Sequence, residues 1–141
     1  MEHSKRESIS VETMVPVSPE LAWAYWTEPV HITQWNQASG DWHTPHAEND
    51  LRVGGKFSSR MESKDGKYGF DFAGVYDAVE PFAKIAYTIG DGRKVSVLFK
   101  TMKSGTKITE TFETESENSV ERQRIGWQAI LDSYRRYVEK Q

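Results

Sequence analysis

The chain has 141 residues, with 18 basic against 21 acidic side chains and a formal net charge of -3, a balance that carries no electrostatic footprint for nucleic acid or an anionic membrane. The absence of cysteine excludes a disulfide framework, a thiolate metal site and a thiol nucleophile. No stretch approaches the roughly eighteen apolar residues of a membrane span and the opening MEHSKRESIS lacks an apolar signal segment, so one cytoplasmic domain is expected over residues 1–141.

Residues 1–7 are polar and expected to be frayed. Ile9, Val11, Thr13, Val15 and Val17 alternate with Ser8, Ser10, Glu12 and Met14, which predicts a first strand. Ser18 is placed to cap a helix that Pro19 opens and Glu20 stabilises, running to about Thr27. Pro29 breaks it and can open a second short helix through Ile32 to Trp35. From Asn36 to Asp50 the composition turns to Gly, Asp, His, Pro and Asn, which predicts an irregular segment with at most a short strand around Trp42.

Beyond Gly54-Gly55, Phe57, Ser59 and Met61 alternate with Ser58, Arg60 and Glu62, and Asp65-Gly66 turns that strand back into Tyr68 to about Val79. Ile85, Tyr87 and Ile89 mark the next strand, Asp91-Gly92 another hairpin, and Val95, Val97 and Phe99 its return. Ser104-Gly105 leads into Ile108, Glu110 and Phe112. The longest helix spans Asn118 to Glu139, with Asn118 and Glu121 forming its capping start. Val120, Trp127, Ile130, Leu131, Tyr134 and Val138 share one face, and Glu121, Arg122, Asp132, Arg135, Arg136 and Glu139 the other. Gly126 costs this helix about 1 kcal/mol relative to Ala, which predicts close approach by a strand or a ligand. The order describes an α+β domain: a strand, two short helices, an antiparallel meander and a long helix. One helix cannot fill the concavity of so large a twisted sheet, so a cavity between them is expected.

Three side chains are candidates for acid-base chemistry. Glu110 shares its strand face with Ile108 and Phe112, so its carboxyl is expected inside, either as a structural ion pair at the rim or with a raised pKa and a role toward a ligand. Asp71 lies on the face opposite Phe70 and Phe72; it is a solvated strand residue if the phenylalanines are core, and a second pocket carboxylate if they are not. His43 sits with His46, Trp42, Glu48 and Asp50, but His-x-x-His in a loop lacks the helical frame of a zincin. No metal or cofactor is expected, and the cluster reads as a polar rim with Trp42 packing inward.

Aromatic residues make up 12% of the chain. Trp42, Phe57, Tyr76, Tyr87, Phe99, Phe112, Trp127 and Tyr134 fit either an ordinary core or a ligand cage, and with Met61, Glu110, Gly126 and Ile130 they form the expected lining. No Gly-x-Ser-x-Gly elbow or phosphate-cradling glycine loop is present.

Trp35, the run Glu48-Asn49-Asp50-Leu51-Arg52-Val53-Gly54-Gly55-Lys56-Phe57, Asp65-Gly66, Gly74-Val75-Tyr76, Glu80-Pro81 and the helical Gln123-Arg124-Ile125-Gly126-Trp127-Gln128-Ala129-Ile130-Leu131 together resemble one family. It is the family similar to the activator of heat-shock-protein ATPase, within the SRPBCC superfamily of START and birch-pollen-allergen-like proteins. The resemblance covers nearly the whole chain and implies a helix-grip fold: six or seven curved antiparallel strands gripping a C-terminal helix around a pocket for small, largely apolar molecules. A carrier or sensor of such a molecule is the leading expectation. An enzyme of the cyclase or aromatase kind, using His43, Asp71 or Glu110, is the alternative. The family's eponym stimulates a chaperone ATPase with a further N-terminal domain, for which this length leaves no room, so that activity is not expected. A monomer is.

Overall fold

The computed structural model describes residues 6–141, and the expected fraying of residues 1–5 lies outside them. Arg6 and Glu7, also expected to fray, are tied down. The Arg6 guanidinium donates to the Asp91 carbonyl at 3.0 Å and the Glu7 carbonyl accepts from the Thr114 amide at 2.8 Å.

The elements follow the chain as β1 (Ser8–Val15), α1 (Pro19–Thr27), α2 (Pro29–Trp35), β2 (Trp42–Asn49), β3 (Lys56–Ser63) and β4 (Gly69–Glu80). They continue as β5 (Lys84–Ile89), β6 (Lys94–Met102), β7 (Gly105–Glu113) and α3 (Val120–Glu139). All seven strands form one antiparallel sheet in the order β1-β7-β6-β5-β4-β3-β2, so the first strand pairs with the last and the meander runs away from that pair. Short turns make this order, and two of them need a backbone that L side chains resist: Gly66 and Gly92 sit at φ 79° and 90°.

The expected irregular segment is instead an eight-residue edge strand, β2. Its pairing with β3 slips between His43 and His46, around Pro45, so the alternation that betrays other strands is broken here. Pro45 has no amide hydrogen to offer another chain, which suits a strand whose outer edge is open.

The wedge of α1 and α2 forms as its proline and serine signals predict, with Ser18 Oγ accepting from the Leu21 amide. Asn49 at the end of β2 ties the wedge to the sheet, its Nδ2 donating to the Thr27 carbonyl at 2.7 Å. Helix α3 packs against β1 and α2, and Leu131, Tyr134 and Val138 are buried as the helical period predicts.

Three expectations for α3 need correction. Its cap is Ser119, whose Oγ accepts from the Arg122 amide at 3.1 Å, while Asn118 is held outside the helix by the Glu115 carboxylate. Val120 is exposed, because the first turn lies beyond the face that the sheet covers. Gln123 is buried there instead, its amide spanning the Glu115 N–H and the carbonyls of Glu115 and Asn118. Asp132 and Arg135, assigned to the water face, are half-buried. No helix among the described residues is long and apolar enough to cross a membrane.

Candidate functional site: an aromatic cavity with a buried acid

Glu110 stands where the alternation of β7 puts it, in register with Val11 of β1 on one side and Val97 of β6 on the other. It is 5% exposed, and among the described residues no Lys, Arg or His forms an ion pair with it. The expected ion pair is therefore absent. A carboxylate there would be desolvated without compensation, so burial pushes its pKa up to about 8.

The acid opens on a cavity of about 290 Å³ between the sheet, the helical wedge and α3, near the lower end of the roughly 300–1,000 Å³ that small-molecule sites occupy. Strand β3 supplies Phe57, Ser59 and Met61, β4 Phe72 and Tyr76, β5 Ile85 and Tyr87, and α3 Gln123, Trp127 and Ile130. The rings are contiguous: Phe57 lies 4.8 Å from Tyr87 and 5.2 Å from Tyr76 between centroids, and Phe72 bridges Tyr87 to Trp127 at 6.5 and 6.2 Å. The Tyr76 hydroxyl donates to Asn49 Oδ1, which locks its ring, and burial pushes its pKa up to about 12. Tyr87 is buried without a side-chain hydrogen-bond partner among the described residues; desolvation, then the charges of Glu110 and Tyr76, push its pKa well up.

The expected lining divides. Phe57, Met61, Tyr76, Tyr87, Glu110, Trp127 and Ile130 face the cavity. Phe99, Phe112 and Tyr134 form the layer behind them: Phe112 lies parallel under Trp127 at 4.2 Å, Phe99 packs on Trp23 and Trp26, and Tyr134 on Trp26 and Trp35. Trp42 does not line the cavity: in register with Ser63, on the sheet face of Ser59 and Met61, it packs behind the lining ring of Phe70, 6.0 Å between centroids. His43 is outside as well, 3.9 Å from Glu62, and His46 stands 3.6 Å from Glu48 on the surface. Asp71 is exposed and pairs with Arg60 at 3.6 Å, as expected if Phe70 and Phe72 are the inward rings, and both line the cavity. Of the three acid-base candidates, Glu110 alone reaches the cavity. Among the described residues no group of three or more His, Asp or Glu could hold a metal ion.

Gly126 overturns its expectation. A Cβ built there meets nothing within 4 Å, so neither a strand nor the cavity wall approaches it. Gly126→Ala is accordingly expected to raise stability by about 1 kcal/mol in thermal or urea unfolding. A loss would reveal a contact at this position that the fold does not show.

Sequence reasoning missed the helical wall, where Trp26, Ile32 and Trp35 complete the cavity. The available signal was the pair of tryptophans on either side of Pro29. A larger, open hollow of about 960 Å³ lies on the outer face of β3 to β5, over Lys56, Ser58, Val75 and Thr88. It shares Glu48, Asn49 and Phe57 with the cavity but gathers no buried titratable group, so the smaller, more enclosed space is the candidate site.

A single antiparallel sheet curled against a C-terminal helix, with an aromatic space between them, is the helix-grip architecture of the SRPBCC superfamily. Within it, the chain belongs to the family described as Activator of Hsp90 ATPase homolog 1-like protein, whose profile matches residues 16–139. The solution structure of an AHSA1-like protein from Aeromonas hydrophila is 42% identical and superposes with a TM-score of 0.90, covering 95% of this chain and 93% of that one. Chr148 from Cytophaga hutchinsonii is 50% identical, with a TM-score of 0.82 over 94% of this chain and 92% of its own. The crystal structure of CV1439 from Chromobacterium violaceum shares the fold at 19% identity, with a TM-score of 0.82 over 94% and 98% of the two chains. Among curated proteins, none matches.

Proposed function

We propose that the protein is a carrier or sensor that binds a small, mostly apolar molecule with an aromatic portion in the cavity between the sheet and α3. One observation carries this reading: a contiguous wall of aromatic side chains surrounds a Glu110 carboxyl and a Tyr87 hydroxyl that have no hydrogen-bond partner among the described residues. Apolar rings supply affinity and a few unpaired polar groups fix orientation, the division of labour found in small-molecule sites.

A fragment screen followed by amide and aromatic-ring chemical shifts tests it. The expected result is saturable perturbation centred on Phe57, Tyr87, Glu110 and Trp127. Perturbation confined to the outer hollow around Lys56 and Val75, or none at all, would sink the proposal. A second reading rests on the same acid: a carboxyl that still holds its proton at neutral pH could serve as a general acid toward a bound molecule. Chemical conversion of a bound fragment, abolished by Glu110→Gln, would favour turnover over carriage.

A further inference from the structure

The geometry points to a cationic ligand: an amine or quaternary ammonium on an aromatic or aliphatic body, its positive centre held against Glu110 within the ring wall of Phe57, Phe72, Tyr76, Tyr87 and Trp127. This rests on the cavity-binding reading above and specifies the charge of what is bound.

Two independent features favour positive charge. The faces of aromatic rings are electron-rich, and a cation within about 6 Å of a ring centroid is attracted to them, most strongly where water is excluded. Those five rings enclose the space with neighbouring centroids 4.8 to 6.5 Å apart. The second feature is the formal charge of the lining. Glu48, Glu110 and Glu115 contribute three carboxyl groups against the single guanidinium of Arg93, and Arg93 is already committed to Asp91 at 2.8 Å.

Other ligand charges fit less well. An anion would meet the carboxylates of Glu48 and Glu115 at the rim, would hold Glu110 to its protonated form, and would find no free cation among the described lining residues. A wholly apolar ligand would leave the carboxyl buried without a partner, at the cost of an unmade hydrogen bond. A neutral carbonyl or hydroxyl could take a hydrogen bond from the protonated acid, and serves as the competing outcome of the test. The volume of about 290 Å³ suits one ring with a short charged arm.

The environment of Glu110 fixes the expected pH behaviour. From β1 and β6 it faces Val11 and Val97, and from α3 Trp127 and Ile130, none of which titrates. Tyr87 and Tyr76 on β5 and β4 hold their protons well above neutral pH, and Glu115, bonded to Asn118, lies below the usual carboxylate range. Glu48 stands exposed at the β2 rim, and Arg93, half-buried at the β5–β6 turn, is paired with Asp91. A bound cation would drive Glu110 to ionise, so binding near pH 7 should release close to one proton.

The test uses the full chain with phenethylamine, its neutral counterpart 2-phenylethanol, and benzyltrimethylammonium, whose charge does not titrate. Calorimetry and chemical-shift titration should give the amine an affinity at least roughly tenfold above the alcohol at pH 8.5. Affinity for benzyltrimethylammonium should fall roughly tenfold for each pH unit below about 8, as Glu110 takes up its proton. Calorimetry in two buffers of different ionisation enthalpy reads the proton release. Glu110→Gln should collapse the preference for amine over alcohol and flatten the pH profile, and the wild-type profile decides the matter even if that variant folds poorly. Equal or tighter binding of the alcohol, or a flat wild-type profile with benzyltrimethylammonium, would overturn the cationic ligand while leaving the cavity as a binding site. If none of the three probes perturbs cavity resonances at millimolar concentration, both readings fall together.

Discussion

Glu110→Gln is expected to stabilise the unliganded protein by roughly 3 kcal/mol at pH 7. Burial raises the native pKa from its ordinary value near 4.5 to about 8, and each unit of difference between native and unfolded states corresponds to about 1.4 kcal/mol. Below about pH 4.5 both states hold the proton, and the acid behaves as a neutral buried group. Between about pH 4.5 and 8 the unfolded chain has released a proton that the native protein keeps, so the unfolded state gains and stability falls as pH rises. Above about pH 8 the native carboxyl ionises too and the loss levels off. Gln occupies the same space without an ionisable proton, so that part of the pH dependence should vanish. Urea unfolding of both proteins at pH 4, 7 and 9 measures it. Equal stability at pH 4 and a widening gap at 7 and 9 is the expected pattern. A variant weaker than wild type at pH 7 would place an unseen cation beside Glu110, because removing one partner of a buried pair leaves the other stranded.

Truncation of Tyr134 should cost more still. Its side chain is fully buried, its ring lies 4.9 Å from Trp26 and 5.0 Å from Trp35, and its hydroxyl donates to the Ala22 carbonyl at 2.7 Å. One residue therefore joins α3 to both helices of the wedge. Tyr134→Ala removes the ring and leaves a hole among tryptophans too large to close around it, at an expected cost of about 3–5 kcal/mol. Tyr134→Phe keeps the packing and removes only the hydrogen bond, for about 1–2 kcal/mol. Unfolding midpoints of the two variants separate the contributions. Near-equal losses would mean that the hydroxyl, rather than the ring, fastens the wedge.

The sheet was legible wherever one face is dry and the other wet, because side chains then alternate in kind as they alternate in direction. Strand β7 is the clearest instance, and its alternation alone predicted that Glu110 would be buried. Strand β2 was hidden for the opposite reason: Trp-His-Thr-Pro-His-Ala-Glu-Asn is polar, lies on an edge and carries a bulge that resets the alternation midway. That hidden strand is why Trp42 was counted in the lining and His43 among the acid-base candidates, although neither reaches the cavity. For α3, periodicity named the buried face but could not say where the sheet ends, which is why Val120 was assigned inside and Gln123 was not. The ring wall was only half legible. Spacing marks an aromatic residue as inward without distinguishing the surface of a cavity from the layer behind it, and Phe57 and Phe112 look alike in sequence while only Phe57 faces the space. The tryptophans of the wedge meet the sheet through tertiary packing that no local pattern encodes.

The pairing of β1 with β7 also sets an order in time. Strands β2 to β7 can assemble one hairpin after another, mostly across short turns, whereas Ser8 must find Glu113 across more than a hundred residues of chain. Loop-closure entropy makes such a pairing late and slow. Until it forms, β7 is an edge and Glu110 has Val97 on one flank and water on the other. Its abnormal acidity is thus expected to be acquired with the last strand to dock. Pulse-labelled hydrogen exchange during refolding should protect the amides of Tyr87 and Val97 before those of Val11, and simultaneous protection would mean that the whole sheet closes in one step. In the opposite direction, the strand that arrives last is the one whose departure admits water to Glu110, so release of β1 would let the carboxyl ionise while most of the meander still stands.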